Sequence, residues 1–132
     1  MTDRLSRQHR SWNMSRIRSR DTGPERLVRS ALHRAGYRFR LHRKGLPGRP
    51  DVVLPKHRTA VFVHGCFWHR HKGCRFAYMP KSRVESWHEK FRRNVERDQR
   101  STRELRKLGW KVVTVWECEA DRPEKWLRRL PS

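Results

Sequence analysis

The sequence predicts an α/β fold, in which helices pack against a small β-sheet. Two observations support this prediction. Apolar residues recur at helical spacing in separate stretches, and between these stretches lie alternating or β-branched apolar runs, which are typical of strands. The predicted order along the chain is one helix, three strands, a long helix, one strand and a short last helix.

The first helix is predicted to begin after Thr22 and to end at Gly36. Thr22 can cap the helix, a proline in the first turn is well tolerated, and Glu25 occupies the capping-box position. Residues 37–41 then alternate apolar and polar side chains, which indicates a strand. Residues 44–50 contain two glycines and two prolines and must form a loop.

Two short β-branched runs follow, at residues 52–54 and 60–63, and the turn between them predicts a β-hairpin. Residues 64–80 show no periodicity and contain a cluster of Cys, His and aromatic side chains. The remaining elements are a long helix, a strand and a short helix, predicted at residues 82–108, 110–116 and 124–130.

The charge of the chain indicates a nucleic-acid partner. The 132 residues include 34 Lys and Arg against 13 Asp and Glu, which gives a formal net charge of +21. Such a field attracts polyanions, and nucleic acid is favoured over an anionic membrane because no apolar run reaches transmembrane length. We expect one domain over residues 21–132. Residues 1–20 form a basic arm or, alternatively, a disordered solubilising tail.

Three cysteines and a nearby histidine suggest a structural zinc site. Cys66, His71 and Cys74 lie within nine residues of one another, and Cys118 follows the last predicted strand. An odd number of cysteines without a secretion signal argues against a disulfide framework. Zn²⁺ prefers four thiolate or imidazole ligands, and such a closed site is structural rather than catalytic. Another histidine of the loop could replace His71, and three unrelated thiols are the alternative.

A second group of polar residues predicts a catalytic metal site. Asp51 precedes the strand at 52–54, and a carboxylate beside a neighbouring strand suits Mg²⁺, which can activate water for phosphodiester cleavage. His64 and His69 follow the next strand, where a neutral imidazole could take a proton from the attacking water. Glu25 is a further carboxylate that could reach the site. The alternatives are a turn residue, two solvated loop histidines and a helix cap.

Aromatic side chains surround these residues. Phe67 and Trp68 lie in the same loop, and Trp87 lies early in the long helix. Exposed aromatic rings in a basic protein can stack on bases or insert into a duplex. Burial beneath the zinc loop is the alternative, above all for Trp87. Phe67 and Trp68 are harder to bury together, because we expect adjacent side chains to point apart.

Four strings of residues resemble the very-short-patch-repair (Vsr) mismatch endonucleases. They are LPGRPD at residues 46–51, VHGCFWH at 63–69, NVERD at 94–98, and the segment from GW at 109–110 to WEC at 116–118. The resemblance covers nearly the whole chain. It implies a restriction-endonuclease-like fold of the PD-(D/E)xK type, with a mixed sheet flanked by helices. It also implies a Mg²⁺-dependent nick on the 5′ side of the T in a T·G mismatch that arises from 5-methylcytosine deamination.

The resemblance further implies roles for individual residues. Asp51 and the backbone carbonyl of Val63 match the Mg²⁺ contacts, and His69 matches the general base, with His64 and Glu25 in support. The structural zinc ligands match Cys66, His71, Cys74 and Cys118. Phe67, Trp68 and Trp87 match the aromatic wedge beside the mismatch. Met14 and Ile17 match a segment on the minor-groove side. Lys90 and Asn94 match the contacts to the mismatched pair.

The chain departs from the expected pattern in three places. Restriction-type nucleases usually carry Glu-x-Lys or Asp-x-Lys on the second strand, but residues 62–64 here are Phe-Val-His, so histidine is expected as the base. Val63 stands where a hydroxyl residue is expected. The zinc loop has one residue more than expected, at residues 71–74.

Several partners and alternatives follow from these observations. The expected substrate is double-stranded DNA with a T·G mismatch, and the resemblance suggests coupling to mismatch-repair factors and DNA polymerase. It also implies a cytoplasmic, nucleoid-associated protein of bacterial type. A monomer is expected, because a T·G site lacks two-fold symmetry. A non-catalytic, zinc-stabilised DNA-binding module and a nuclease of the same fold with broader specificity are the alternatives.

Overall fold

The computed structural model describes residues 22–131. The helices are α1 (Gly23–Arg34), α2 (Val84–Lys107) and α3 (Pro123–Trp126), and the strands are β1 (Arg40–Leu41), β2 (Val52–Leu54), β3 (Thr59–His64) and β4 (Lys111–Trp116). Short 3₁₀ segments lie at Pro55–His57, Glu117–Glu119 and Leu127–Arg129. The predicted basic arm, including Met14 and Ile17, lies outside the described residues.

The strands form one mixed sheet in the order β1-β2-β3-β4. β1 and β2 are antiparallel, as are β2 and β3, whereas β3 and β4 are parallel. A parallel pair needs a long crossover connection, which α2 and the loop before it supply. The predicted α/β arrangement of a mixed sheet with helices, including the hairpin of β2 and β3, is therefore confirmed.

The predicted start and end of α1 are confirmed. The Thr22 Oγ1 atom accepts a hydrogen bond from the Glu25 N–H at 3.3 Å, which caps the first turn. Gly36 follows the helix with a φ of +89°, the left-handed conformation that glycine adopts readily. The N–H groups of Gly36 and Tyr37 donate to the carbonyls of His33 and Leu32, both at 3.0 Å, and so close the helix end.

This helix end corrects the prediction of a strand over residues 37–41. The Tyr37 N–H closes α1 and does not pair with a neighbouring strand, and β1 holds only Arg40 and Leu41, which pair with β2. The same effect shortens β4, because the Trp110 N–H donates to the Leu105 carbonyl at 3.0 Å and the strand begins one residue later. The last predicted helix is also divided, into α3 and a 3₁₀ turn.

Two apolar cores lie on opposite faces of the sheet, because successive strand residues point to opposite sides. Val52 and Leu54 of β2 belong to the core beneath α1 and α3, whereas Val53 belongs to the core beneath α2. The first core contains Val28, Ala31, Leu32, Val61, Val113, Val115, Ala120, Trp126 and Leu130, and the second contains Ala60, Phe62, Leu105 and Trp110. Within residues 22–131, no helix is both long and apolar enough to cross a lipid bilayer.

Candidate functional site

Asp51 lies at the start of β2, directly beside the end of β3. Its Oδ2 atom accepts a hydrogen bond from the Val63 N–H at 2.7 Å, which fixes the direction of the carboxyl group. Burial raises the pKa of Asp51 to about 7, although the hydrogen bond from Val63 acts in the opposite direction. A bound cation would offset the cost of ionising this carboxyl group, so Asp51 suits the predicted metal contact.

Two further side chains reach Asp51 from other elements. Glu25, Asp51 and His42 each place one ligand atom within 4.8 Å of the others. Glu25 is 3% exposed at the start of α1, and its carboxylate accepts a hydrogen bond from Arg29 at 3.3 Å. The structure therefore brings the predicted Glu25 to Asp51. Two carboxylates are a donor set that suits Mg²⁺, which prefers oxygen ligands.

His42 was missed in the sequence. It follows β1 directly, and its backbone N–H donates to the Asp51 carbonyl at 3.3 Å, which continues the β1–β2 pairing. The register pairs Leu41 with Val52, so the next residue outward on each strand is His42 and Asp51. The register of the β1–β2 pair would therefore have indicated that His42 lies beside Asp51. A prediction of strands without their partners does not provide that register.

His64 and His69 are brought together, with His64 at the end of β3. Their rings stack in parallel, with centroids 3.9 Å apart and an interplanar angle of 4°. The Nδ1 atom of His69 lies 2.6 Å from the Oδ2 atom of Asp98 in α2. Burial lowers the pKa of His64 to about 4, and the neighbouring His69 adds to this, so the His64 ring is neutral near pH 7.

The role of Asp98 was also missed, because in the sequence Asp98 stands out only as part of the NVERD string. Asn94 and Asp98 lie one helical turn apart on α2 and contact successive loop residues. Asn94 Nδ2 donates to the Trp68 carbonyl at 3.1 Å, and Asp98 contacts His69. A carboxylate at Nδ1 leaves the other ring nitrogen of His69 free to accept a proton, which is the arrangement of a general base.

A cavity of about 350 Å³ adjoins the histidine pair. His64, His69 and Asp98 line it together with two arginines of α2, Arg103 and Arg106. Guanidinium groups bind phosphate well because their donors form a planar fork. The arrangement can therefore hold an anionic group next to a proton acceptor, as phosphodiester cleavage requires.

The four predicted zinc ligands come together at the ends of β3 and β4. One ligand atom from each of Cys66, His71, Cys74 and Cys118 lies within 4.8 Å of the others. The sulfur atoms of Cys66 and Cys118 lie 3.6 and 3.5 Å from the His71 Nδ1 atom. Ligands at tetrahedral angles around Zn²⁺ are separated by about 3.6 Å for a sulfur–nitrogen pair, so this donor set fits the ion.

Phe67, Trp68 and Trp87 form an aromatic cluster with Phe91 and Tyr78. The Phe67 ring centre lies 5.2 Å from Trp68, 5.4 Å from Trp87 and 5.1 Å from Phe91, which is 4% exposed. The expectation that Phe67 and Trp68 point apart is wrong. Their segment forms a helical turn, in which the His69 N–H donates to the Gly65 carbonyl, so neighbouring rings share a side.

The other predicted DNA contacts lie along the same side of α2. The Lys90 ammonium lies 5.0 Å from the centre of the Trp87 ring, and Asn94 contacts the Trp68 backbone. The structure thus places Lys90 and Asn94 next to the aromatic cluster. Because Asp98 follows one turn later, this side of α2 leads from the cluster to the histidine pair.

Comparison with known proteins identifies the family. The signature of the family described as DNA mismatch endonuclease Vsr matches residues 2–75. The chain is 56% identical over 119 residues to the Type II nicking enzyme V.XorIIP of Xanthomonas oryzae pv. oryzae, covering 90% of this chain and 87% of that protein. It is 45% identical over 125 residues to the DNA mismatch endonuclease Vsr of Escherichia coli (strain K12), covering 95% and 80%. The chain therefore belongs to the Vsr family of DNA mismatch endonucleases, and it is a DNA endonuclease.

Proposed function

We propose that this endonuclease nicks DNA on the 5′ side of the T in a T·G mismatch that arises from 5-methylcytosine deamination, and so initiates very short patch repair. The observation that carries the proposal is the position of a buried carboxyl group, Asp51, which is hydrogen-bonded to Val63 in β3. The next residue, His64, stacks on His69 of the His69–Asp98 pair. The relatives support it through their names, which describe a mismatch endonuclease and nicking enzymes. We also infer a restriction-endonuclease-like fold from the mixed sheet and its flanking helices.

We infer that the reaction depends on Mg²⁺ held by Asp51, with Glu25 close by. When bound, the ion supplies positive charge that stabilises the phosphodiester during cleavage and lowers the pKa of a coordinated water. The Val63 carbonyl remains the proposed backbone contact, while the Val63 N–H orients the Asp51 carboxylate. A hydroxyl at position 63 has no part in either contact, so valine is compatible with this site.

His69 is the proposed general base. Asp98 holds its Nδ1 atom, so the opposite nitrogen can accept the proton of the attacking water. Asp98 also stabilises the positive charge that the imidazole then carries. His64 stacks on His69 and stays neutral, and thereby holds the ring in plane without adding a second positive charge.

The proposed zinc ion has a positioning role. Its ligands Cys66 and His71 lie on either side of His69 in the chain, and Cys118 connects the loop to the end of β4. Such a closed site fixes the loop that carries both the base and two of the aromatic side chains. The proposed partners, beyond the mismatched duplex, are mismatch-repair factors and DNA polymerase.

A panel of labelled duplexes tests the proposal. Each duplex carries a T·G pair, another mismatch or a fully paired site, and is incubated with the protein with and without added Mg²⁺. We expect a single nick in the T strand of the T·G duplex only, and only with Mg²⁺. Equal cutting of all duplexes would instead identify a nuclease of broader specificity.

The Asp51→Ala variant provides the matched catalytic test. We expect its nicking rate to fall by at least about 100-fold, because a catalytic metal contributes several kcal/mol to transition-state stabilisation. Binding to the T·G duplex, measured by fluorescence anisotropy, should stay close to that of the unsubstituted protein. A variant that nicks at the normal rate would refute the assignment of the metal to Asp51.

A further inference from the structure

Tyr78 extends the aromatic cluster into solvent. Its ring centre lies 5.1 Å from that of Phe67, with an angle of 44° between the rings, and 63% of the residue is exposed. The cluster thus runs from Phe91, at 4% exposed, through the half-buried Phe67 to an open edge at Tyr78. Tyr78 is therefore the edge at which the aromatic cluster is open to contact with another molecule.

Arg70 holds the backbone of Tyr78 in this position. Its guanidinium group donates hydrogen bonds to the carbonyls of Ala77 at 2.7 Å, Tyr78 at 3.0 Å and Phe67 at 3.2 Å. The same group lies over the Phe91 ring, 4.0 Å from its centre. A single side chain therefore joins the segment that carries Phe67 to the segment that carries Tyr78. Because the backbone of Tyr78 is already held, less conformational entropy is lost when its side chain binds a partner.

The surroundings of Tyr78 are strongly basic. Residues 67–84 contain no Asp or Glu, and their basic residues are Arg70, Lys72, Arg75, Lys81 and Arg83. Aromatic rings within a basic surface are typical of sites where bases stack while cations contact the backbone. The charge disfavours a neutral apolar protein partner and complements a polyanion.

We propose that Tyr78 is a DNA-contacting residue that stacks on a base exposed by the distorted mismatch site, and that Arg70 is the residue that positions it. The inference rests on the proposed function, because a duplex exposes base faces where its stacking is disturbed. Tyr78 lies beside Phe67, and two further neighbours of Phe67, Trp68 and Trp87, are proposed to insert beside the mismatch. It would therefore extend the stacking surface by one ring.

The test measures binding of Tyr78→Ala and Tyr78→Phe in the Asp51→Ala background, where the DNA stays intact. T·G and paired duplexes carry 2-aminopurine next to the site, so that fluorescence reports unstacking of a base. We expect Tyr78→Ala to weaken T·G binding by about tenfold. This is near the lower end of the affinity losses expected when a ring that stacks on one base is replaced by alanine. Tyr78→Phe should bind like the parent, because stacking needs the ring and not the hydroxyl group.

Phe76→Ala is the matched control. Phe76 is another exposed aromatic residue of the same segment, at 46%, but its ring lies against the Arg75 guanidinium at 5.0 Å. We expect it to leave T·G binding and 2-aminopurine fluorescence unchanged. The proposal is overturned if Tyr78→Ala binds T·G duplex normally or loses the same affinity for paired and T·G duplexes. It is also overturned if Phe76→Ala loses as much affinity for T·G duplex as Tyr78→Ala does.

Arg70→Lys tests the positioning role. Lysine keeps the positive charge but lacks the planar fork that reaches three carbonyls. We expect Arg70→Lys to lose T·G binding as Tyr78→Ala does, with an unchanged salt dependence, and the double variant to show no further loss. Additive losses would contradict the positioning role. Failure of the proposed function is read separately, from a lack of nicking by protein that retains Asp51.

Discussion

His69 connects two elements of the candidate site, β3 through His64 and α2 through Asp98. Its ring stacks on His64 at 3.9 Å, and its Nδ1 atom lies 2.6 Å from an Asp98 oxygen. The carboxylate selects which nitrogen carries the proton, and the stacked ring restricts rotation. The tautomer and the orientation of the His69 ring are therefore set by two neighbours, one on β3 and one on α2.

Asp98→Asn tests this arrangement at the scale of one residue. The amide keeps the size of the side chain but removes the negative charge and can impose the wrong tautomer on His69. We expect the single-turnover nicking rate to fall by about 100-fold, within the range that a positioned general base contributes. Binding to T·G duplex should not change.

Glu96→Gln is the control for Asp98→Asn, because Glu96 lies on the same helix and forms an exposed ion pair with Arg92 at 3.1 Å. We expect its nicking rate to stay within the scatter of the unsubstituted protein. If both substitutions slow nicking equally, the effect comes from the charge of the helix and not from the His69–Asp98 pair.

At the scale of elements, the loop before β2 is held against α2 by a glycine. Gly48 has a φ of +74°, and a Cβ atom built there would lie 2.6 Å from the Cβ and Oγ atoms of Ser101. Ser101 is buried at 8% exposed, so it has little room to move. The close approach positions the loop that leads from Gly48 into Asp51, the residue directly before β2.

Gly48→Ala is therefore predicted to destabilise the protein, and Gly45→Ala is its control. Gly45 has a φ of +89° but nothing within 4 Å of its added Cβ, so its substitution introduces backbone strain alone. We expect Gly45→Ala to cost about 1 kcal/mol and Gly48→Ala about 1–3 kcal/mol more, from overpacking. Urea unfolding measures the free energy of unfolding of both variants. Equal losses would show that the close contact with Ser101 adds nothing to the backbone strain.

At the scale of the whole molecule, two groups of contacts secure the end of β4. Glu119 accepts two hydrogen bonds from Arg129, at 2.6 and 2.8 Å, and Arg129 also donates to the Thr114 carbonyl at 3.0 Å. Cys118 lies among the proposed zinc ligands. The apolar cores cover the sheet, but the loop between β3 and α2 has no core of its own beyond the aromatic cluster. Its order should therefore depend on the metal.

Removal of zinc is predicted to abolish nicking and to lower the melting temperature by at least about 10 °C, because a structural zinc contributes much of the stability of a small site. Atomic absorption should find one zinc per chain, and Cys118→Ser should behave like the stripped protein. Restoring zinc to the stripped protein should restore nicking. A zinc-free protein that keeps its melting temperature and nicks DNA would contradict the positioning role of the zinc.

Local patterns were sufficient to predict the order of the elements, the hairpin and the residues from Asp51 to Cys74 that carry the candidate chemistry. Helix caps, β-branched runs and closely spaced cysteines act over a few residues, so the sequence shows them directly. The strand over 37–41 was overestimated because alternation of side chains does not show which residues pair with β2. Only Arg40 and Leu41 do so, and the Tyr37 N–H instead closes α1.

The partners of these residues depend on packing between distant elements. Asp98 meets His69 across 29 positions because α2 packs across the sheet, and His42 meets Asp51 through the β1–β2 register. Arg70 and Tyr78 meet because the loop folds back on itself. Side-chain identity decides which chemistry is available at each position. The approach of one element to another decides which atoms come within hydrogen-bonding distance, and no local pattern contains that information.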